Sequence, residues 1–353
     1  MTDEIRKITE KLIRRRALTV AEYERLLTER DAELYEILKA EAIRLRHRIY
    51  GNKIFIRGLI EISSFCKNDC FYCGIRRSNS NCERYRLTPE EILSCCENGY
   101  TLGFRTFVLQ GGEDAFFGDD VLCELIKTIK EKYPDCAVTL SLGERSEDSY
   151  KRLFEAGADR YLLRHETADN GHYARLHPEN MSFENRKNCL EVLKKTGYQT
   201  GCGMMVGSPF QTYKALAQDL KFIEEFQPDM CGIGPFISHK DTPFKSEKNG
   251  DAELTCFLLA LVRIIKPDIL LPATTALGTI AENGRKQAIE ASANVVMPNL
   301  SPLGVRSKYS LYDNKLHSGS ESADNLNSLK KAMKEIGYEI VCDRGDIIKQ
   351  KEN

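Results

Sequence analysis

The sequence predicts an α/β fold, a (βα)8 barrel of the TIM type with an N-terminal helical extension and a short C-terminal extension. From about residue 53, short apolar runs alternate with amphipathic segments of helical period. Eight such runs occur over roughly 250 residues, the usual size of a closed barrel. Polar side chains follow the C-terminal end of nearly every run, where barrels carry their active sites. A doubly wound open sheet and a six-stranded partial barrel remain alternatives.

Each element rests on a local signal in the chain. Residues 1–50 carry apolar side chains at helical spacing among many charges, which predicts the N-terminal helical extension. The barrel spans residues 51–312, and the C-terminal extension of residues 313–353 contains a last helix at about 322–336. The predicted strands are Ile54–Ser63, Thr106–Gln110, Ala137–Leu142, Arg160–Arg164, Gln199–Val206, Met230–Phe236, Ile269–Thr274 and Asn294–Met297.

The helices between these strands are predicted from their caps and their apolar periodicity. Thr88 and Pro89 suit the N-cap and first helical position of the first connecting helix. The others are predicted at about 118–132, 146–156, 182–196, 211–226, 252–265 and 281–290.

The composition limits the partners that the chain can have. With 51 basic and 52 acidic residues the net charge is −1, which gives no overall attraction to nucleic acid or to an anionic membrane. No signal-peptide region begins the chain, and no stretch approaches the ~20 apolar residues of a membrane helix. The 13 cysteines fit a reducing compartment better than a disulfide framework. We therefore expect a cytoplasmic protein that binds neither nucleic acid nor membrane.

Three cysteines after the first predicted strand carry the strongest chemical signal. Cys66, Cys70 and Cys73 are spaced C-x3-C-x2-C, and thiolates bind iron–sulfur clusters, zinc or Cu(I). Held by only three cysteines, a 4Fe-4S cluster keeps one iron open to another ligand. A zinc site with Cys82 as fourth ligand is the alternative, although this spacing is not that of a zinc pair.

Charged residues at later strand ends suggest a site for charged ligands. Gly112 and Glu113 follow the second strand, where a carboxylate suits an ammonium group and glycine lets backbone come close to a ligand. Arg164 and Glu166 end the fourth strand, and unpaired charges are costly inside a barrel mouth. Arg186 begins the next helix and suits a carboxylate, although an arginine there is more often a surface residue.

The cysteine motif, with an aromatic residue before its last cysteine, resembles the radical S-adenosylmethionine (SAM) superfamily. Further segments from about residue 50 to 312 resemble the HydE family of radical SAM maturases, which help to build the di-iron unit of FeFe-hydrogenase. These segments are LQGGED, VTLSLGE, RYLLRHETA, SFENR, GIGPFI, PATTALGT and NVVMPN. Biotin synthase and methylornithine synthase share the barrel and the cysteine motif, but we do not expect RHETA and PATTALGT together in either.

The resemblance implies a role for each of a set of residues. Cys66, Cys70 and Cys73 would hold one 4Fe-4S cluster, whose open iron binds SAM. The implied SAM-binding residues are Tyr72, Gly112, Glu113, Glu166, Arg186, Pro235 and Ile237. The implied substrate cavity is lined by Thr139, Arg164, Thr274, Thr275, Met297, Tyr309 and Tyr312. Many HydE-like proteins carry a second cluster near the C-terminus, but residues 300–340 contain no cysteine, so a second cluster is not expected.

The same resemblance implies the reaction. SAM would be cleaved reductively to a 5′-deoxyadenosyl radical that acts on a sulfur of a small precursor carrying iron, CO, cyanide and cysteine. The implied partners are this small molecule, an electron donor such as ferredoxin or flavodoxin, and other hydrogenase maturases. A methylornithine-synthase-like or other small-molecule radical SAM enzyme is one alternative. A carrier that binds a cluster or iron complex without turnover is the other.

Overall fold

A computed structural model describes residues 1–316 and 322–348 of the chain. Its strands are β1 (Lys53–Ile56), β2 (Gly58–Ser63), β3 (Thr106–Gly111), β4 (Ala137–Ser141), β5 (Arg160–Leu162), β6 (Gln199–Val206), β7 (Met230–Pro235), β8 (Val295–Val296) and β9 (Glu339–Val341). Its first seven helices are α1 (Asp3–Arg15), α2 (Val20–Thr28), α3 (Ala32–Tyr50), α4 (Pro89–Thr101), α5 (Asp119–Lys132), α6 (Glu147–Glu155) and α7 (Asn170–Leu176). The remaining helices are α8 (Phe183–Thr196), α9 (Tyr213–Phe226), α10 (Ala252–Ile265), α11 (Thr275–Ile280), α12 (Gly284–Glu290), α13 (Leu303–Arg306) and α14 (Leu326–Glu335).

The strands close into a parallel barrel, as the sequence predicts. β2 to β7 form one sheet in chain order, and β8, β1 and β9 form a smaller sheet. Isolated parallel bridges join the two sheets by pairing Met230 with Leu270, Pro272 with Val295, and Leu59 with Asn299. Because every ladder between these strands is parallel, the C-terminal ends of the strands lie together at one mouth.

Two of the predicted strands are wrong in detail. The predicted strand Ile54–Ser63 is divided at Arg57, because the residues before it pair with β8 and β9 while those after it pair with β3. The predicted strand Ile269–Thr274 makes only single bridges, since Pro272 has no N–H group with which to continue a ladder.

The other differences concern short elements and the C-terminal region. The sequence prediction omits α7, α11, α13 and β9, and it makes the eighth strand and the last helix too long. In the predicted C-terminal extension, residues 317–321 and 349–353 lie outside the described part of the chain. The predicted division at residues 50 and 312 stays a prediction.

The N-terminal helices cover one side of the barrel. α2 packs on α9 and α3 packs on α10, and the two pairs bury Leu26, Leu27, Leu34 and Leu38 completely. All residues of α10 from Leu254 to Ile265 are buried, because α3 covers the side of α10 that would otherwise face water. Across the described parts of the chain, we find no helix with the length and apolar character that a membrane crossing requires.

The last described residues close the opposite end of the barrel from the mouth. β9 extends the small sheet beside β1 and leads into the segment that contains Arg344 and Asp346. Arg160, at the start of β5, is fully buried, and its Nη2 lies 2.6 Å from Asp346 Oδ1 and 2.7 Å from the Arg344 carbonyl oxygen. Burial alone would raise the pKa of Asp346, but its bonds to Arg344 and Arg160 hold that pKa well below its usual range.

We expect Asp346→Asn to lower the free energy of unfolding by about 2 kcal/mol, because the substitution leaves the buried charge of Arg160 without its counter-ion. Asp346 is 39% exposed, so the loss stays below that of a fully buried pair. Urea denaturation followed by circular dichroism measures the change. Asp135→Asn, which breaks an exposed pair with Arg105, serves as the control and should cost less than about 1 kcal/mol. Equal losses in the two variants would contradict the prediction.

Candidate functional site

A single cavity of about 330 Å³ lies in the barrel mouth and gathers the predicted site residues. Every one of them except Thr139 lines it. The predicted residues that line it are Cys66, Cys70, Tyr72, Cys73, Gly112, Glu113, Arg164, Glu166, Arg186, Pro235, Ile237, Thr274, Thr275, Met297, Tyr309 and Tyr312. Thr139 is buried on β4, two residues before the lining residue Ser141, so it faces the barrel interior one layer deeper.

The three predicted cysteines lie together on the loop that follows β2. All three are half-buried free thiols that face the cavity. Burial and the neighbouring thiols raise the pKa of Cys70, and the same two effects raise the pKa of Cys73 to about 12. A cysteine nucleophile needs a lowered pKa, whereas a metal displaces the thiol proton directly. The environment therefore suits ligands of a metal group better than a free nucleophile. Cys82 does not line the cavity.

Arg84 fixes the shape of the segment that carries these cysteines. Its guanidinium group donates to the backbone carbonyls of Ser64, Ile75, Arg76 and Asn79. These carbonyls lie on both sides of the cysteine motif, so one side chain joins the two ends of the loop. The sequence prediction assigns Arg84 no role, because an arginine that binds carbonyl oxygens leaves no pattern of residue types.

The loop after β3 packs directly against the cysteine loop. The Gly112 N–H donates to the Ser63 carbonyl oxygen over 3.2 Å. A Cβ atom at position 112 would overlap the carbonyl oxygen of Phe65 and would lie 2.7 Å from the Cβ of Cys66. Glycine is therefore required at this position, because the two backbones approach more closely than any side chain permits.

Glu113 is held at the cavity edge by backbone and by a cation. Its Oε1 accepts from the Glu144 N–H over 3.0 Å, and its Oε2 lies 3.0 Å from Lys67 Nζ. The Lys67 N–H also donates to the Glu113 carbonyl oxygen over 2.9 Å. Gly143 leaves room for this carboxylate, since a Cβ there would overlap the Glu113 side chain. Glu113 thus already binds an ammonium group, the kind of partner that the sequence predicts for it.

Glu166 reaches the cavity from a left-handed backbone conformation. Its φ is +65°, which is uncommon for any residue but glycine. β6 holds this conformation, because the Glu166 N–H donates to the Gly203 carbonyl oxygen and its own carbonyl oxygen accepts from the Met205 N–H. Arg164 Nη2 lies 3.2 Å from Glu166 Oε2, but this buried oxygen accepts no hydrogen bond from the described residues. A buried acceptor without a donor indicates a place for a ligand.

Arg186 is positioned by two hydrogen bonds at the start of α8. Nε donates to Glu144 Oε1 over 2.5 Å, and Nη1 donates to the Arg164 carbonyl oxygen over 2.6 Å. Burial disfavours its charge, but the nearby Tyr173 and Glu144 more than offset this effect and raise the pKa of Arg186. The guanidinium group therefore stays charged beside the cavity, and its Nη2 makes no hydrogen bond to the residues that the structure describes. Glu144 is a positioning residue that the sequence prediction did not include.

A neutral histidine anchors Tyr72. His177 Nδ1 lies 3.0 Å from the Tyr173 carbonyl oxygen, and His177 Nε2 lies 3.2 Å from the Tyr72 hydroxyl. Because a carbonyl oxygen only accepts, Nδ1 carries the proton and Nε2 accepts from Tyr72. Burial lowers the pKa of His177 to about 3, so this arrangement persists at neutral pH. His177 thereby fixes Tyr72, which lies between Cys70 and Cys73 in the sequence.

A buried ion pair that the sequence prediction lacks lies on another wall of the cavity. Glu61 on β2 is fully buried, and its Oε1 lies 2.5 Å from Lys315 Nζ. Its Oε2 accepts from Asn299 Nδ2 over 2.9 Å, and Lys315 also donates to the Tyr309 carbonyl oxygen over 2.9 Å. This pair ties the segment that carries the two predicted tyrosines to β2. The available signal was the single acid in the apolar strand GLIEIS.

The remaining polar groups make the cavity rich in donors. Arg164 Nε and Thr274 Oγ1 are buried and have no hydrogen-bond partner among the described residues. Burial raises the pKa of Tyr309 and Tyr312, so both hydroxyl groups keep their protons. Donors in a cavity with little water interact strongly with an anion or with a negatively polarised ligand.

The comparisons with known proteins agree with this geometry. Residues 60–223 match the family model of the Radical SAM superfamily. The "[FeFe] hydrogenase maturase subunit HydE" of Thermotoga maritima is 47% identical over 311 residues, which cover 88% of each chain. The chain belongs to the HydE family of radical SAM proteins. The predicted family is thus confirmed.

More distant relatives of this HydE-family chain share its fold. The 3-methylornithine synthase of Methanosarcina acetivorans is 27% identical over 340 residues, which cover 96% of this chain and 95% of the relative. A crystal structure of methylornithine synthase (PylB) has a TM-score of 0.82 at 26% identity and covers 95% of this chain and 97% of that one. The predicted barrel is therefore confirmed as well.

Radical SAM proteins use a 4Fe-4S cluster and SAM, and the residues present fit both groups. Cys66 and Cys73 lie close enough to Cys70 to raise its pKa, as ligands of one cluster would. The backbone at Gly112 packs against the cysteine loop with no room for a side chain. This close packing places Glu113, the next residue, beside that loop. Glu166 adds a buried oxygen that lacks a donor among the described residues.

We expect Gly112→Ala to lower the iron content after reconstitution and to weaken SAM binding roughly tenfold or more. The added Cβ forces the two loops apart by about 1 Å, and displacements of that size are costly in such sites. Iron analysis and equilibrium dialysis with labelled SAM measure the two effects. Gly304→Ala is the matched control, because its Cβ would meet nothing within 4 Å. Unchanged SAM affinity in Gly112→Ala would contradict the packing argument.

We expect Lys315→Met to lower the free energy of unfolding by about 3 kcal/mol, since Glu61 then keeps a buried charge without its cation. Glu61→Gln in the same background should recover part of this loss, because it removes the charge. Guanidinium denaturation of the two single variants and the double variant gives the coupling free energy. Strictly additive effects would mean that the pair does not stabilise the fold.

Proposed function

We propose that the chain is a radical SAM enzyme of [FeFe]-hydrogenase maturation with one 4Fe-4S cluster, held by Cys66, Cys70 and Cys73. The observation that carries this proposal is the convergence of the cysteine loop, Glu113, Glu166 and the Arg186 helix on one donor-rich cavity. The 47% identity to a HydE maturase supports the assignment. When bound together, the cluster and SAM supply a 5′-deoxyadenosyl radical by reductive cleavage of SAM.

The cavity residues have the chemistry that each part of SAM requires. Glu113 binds the amino group, as it now binds the Lys67 ammonium. Arg186, held by Glu144, offers a charge-assisted bond to the methionine carboxylate. Glu166 accepts hydrogen bonds from the ribose hydroxyls through Oε2, which accepts no hydrogen bond from the described residues. Pro235 and Ile237 supply an apolar wall for adenine at the end of β7.

The interior of the cavity suits a small anionic or strongly polarised substrate. Arg164, Thr274 and Thr275 lie on one side, and Tyr309 and Tyr312 come from the segment that Lys315 ties to β2. Their donors match a carboxylate or the cyanide ligands of an iron complex, and Met297 adds an apolar contact. We therefore propose as substrate a low-molecular-weight iron complex with CO, cyanide and cysteine. Thr139 lies one layer below the cavity lining, so it would not contact the substrate directly.

The proposed partners follow from the reaction. One-electron reduction requires a donor, for which a ferredoxin or a flavodoxin is suitable. Other hydrogenase maturases would supply the iron complex and receive the product. A methylornithine-synthase-like activity is a second candidate, favoured by the 0.82 TM-score to PylB over nearly the whole chain.

Anaerobic reconstitution tests the proposal. We expect about four irons per chain, the content of one 4Fe-4S cluster, and we expect reduced protein with SAM to yield 5′-deoxyadenosine and methionine. Cys70→Ala should reduce both the iron content and the cleavage of SAM to background. Cys82→Ala should change neither, because Cys82 does not line the cavity. About eight irons per chain would contradict the single cluster.

Two other outcomes separate the alternatives. Conversion of lysine to methylornithine by the reconstituted protein would favour the second candidate over the maturase. A protein that binds the cluster and SAM but forms no 5′-deoxyadenosine would be a carrier, and the enzymatic proposal would fail.

A further inference from the structure

The segment that carries the cysteines is cationic, although the whole chain is not. Residues 67–86 contain five basic and two acidic side chains, a net charge of +3 in a chain of net charge −1. One of the two acids, Asp69, is 15% exposed and is bound by Arg76 and Ser78. Lys67 is 66% exposed and Arg77 is also exposed. Glu83, the other acid, is 69% exposed but is bound by Lys308, so Lys67 and Arg77 give the outer surface of the loop a mainly positive charge.

Arg77 lies on the outer side of the cysteine loop, very close to the metal ligands. Its N–H donates to the Asn68 carbonyl oxygen over 2.8 Å. Asn68 is two residues from both Cys66 and Cys70. The Cα atom of Asn68 therefore lies within about 8 Å of the Cα atom of each of these cysteines.

Aromatic side chains continue this surface to a second exposed arginine. The Phe71 ring, next to Cys70, contacts Phe244 with centroids 6.2 Å apart, and Phe244 contacts Phe210 at 6.0 Å. Phe210 is 45% exposed and has a φ of +68°. The guanidinium carbon of Arg175, which is also exposed, lies 3.4 Å from the centre of the Phe210 ring.

We propose that this surface, formed by Lys67, Arg77, Arg175 and Phe210 and named the cluster-loop face, docks the protein that supplies the electron. The proposal rests on the proposed function, which requires one-electron reduction of the cluster. Its cations select an acidic partner by charge complementarity. An exposed aromatic ring beside arginine is typical of the residues that anchor protein interfaces. The short path from Arg77 to the ligands places a docked donor near the group that it must reduce.

The electron transfer at this face is balanced without a further reactant. The acidic donor is oxidised by one electron, and the 4Fe-4S cluster of the chain is reduced from the 2+ to the 1+ state. No bond is formed or broken in this step, and no proton is transferred. None of the four residues of the face lines the cavity, although Lys67 contacts the lining residue Glu113.

Direct binding of a ferredoxin tests the proposal without relying on enzyme activity. The probe is an acidic 2[4Fe-4S] ferredoxin, titrated calorimetrically into the reconstituted protein and into the cluster-free protein. We expect the double substitution Arg77→Glu/Arg175→Glu to raise the Kd at least tenfold, because it changes the charge of the face by four. We also expect binding to weaken between about 0.01 M and 0.15 M salt, where the Debye length falls from about 30 to 8 Å.

The control carries the same change of net charge at a distant surface. Arg14→Glu/Arg44→Glu alters exposed residues of α1 and α3 and should leave the Kd unchanged. Equal weakening by both double variants, or no weakening by Arg77→Glu/Arg175→Glu, would overturn the proposal.

A kinetic comparison separates docking from chemistry. Dithionite is a small reductant that needs no docking face, so dithionite-driven SAM cleavage should be unchanged in Arg77→Glu/Arg175→Glu. Ferredoxin-driven cleavage should fall at least tenfold in the same variant. If the unchanged protein cleaves no SAM with either reductant, the proposed function fails, and the binding titration still decides whether this face docks the ferredoxin.

Discussion

The close contact between the backbone at Gly112 and the carbonyl of Phe65 is the constraint on which the site depends. β2 and β3 are neighbours in a parallel sheet, so the loops that follow them emerge side by side. Only a residue without a side chain lets them meet, and their meeting brings Glu113 beside the cysteines. The barrel places the two loops side by side, and Gly112 lets them come close enough to form one site.

Charge in the mouth is arranged in pairs that serve position more than stability. Glu144 aims the Arg186 guanidinium group, Lys67 faces Glu113, and Glu61 draws in Lys315 from the far end of the chain. Pairing of this kind lets many charges lie in a small volume, because each is compensated by a neighbour. Polar atoms that have no hydrogen-bond partner among the described residues, such as Glu166 Oε2, then mark where a ligand fits.

The barrel and much of the site could be predicted because both depend on patterns that lie close together in sequence. The cysteine spacing and the polar residues after each strand are local, and parallel pairing brings them to one mouth. Arg84 and Lys315 could not be found in this way. Arg84 binds carbonyl oxygens, which every residue has, and Lys315 meets Glu61 across 254 positions of sequence. The interrupted strand at Pro272 shows the opposite case, where an apolar run pairs less regularly than its composition predicts.

The binding of Arg84 to four carbonyl oxygens bears on how the protein recovers after exposure to oxygen. One guanidinium group holds the two ends of the loop together, so we expect the loop to keep its shape when oxidation removes the metal. The oxidised chain would then be a folded protein without its cluster and not a misfolded one. Repair would require only fresh iron and sulfide, with no need to refold or replace the polypeptide.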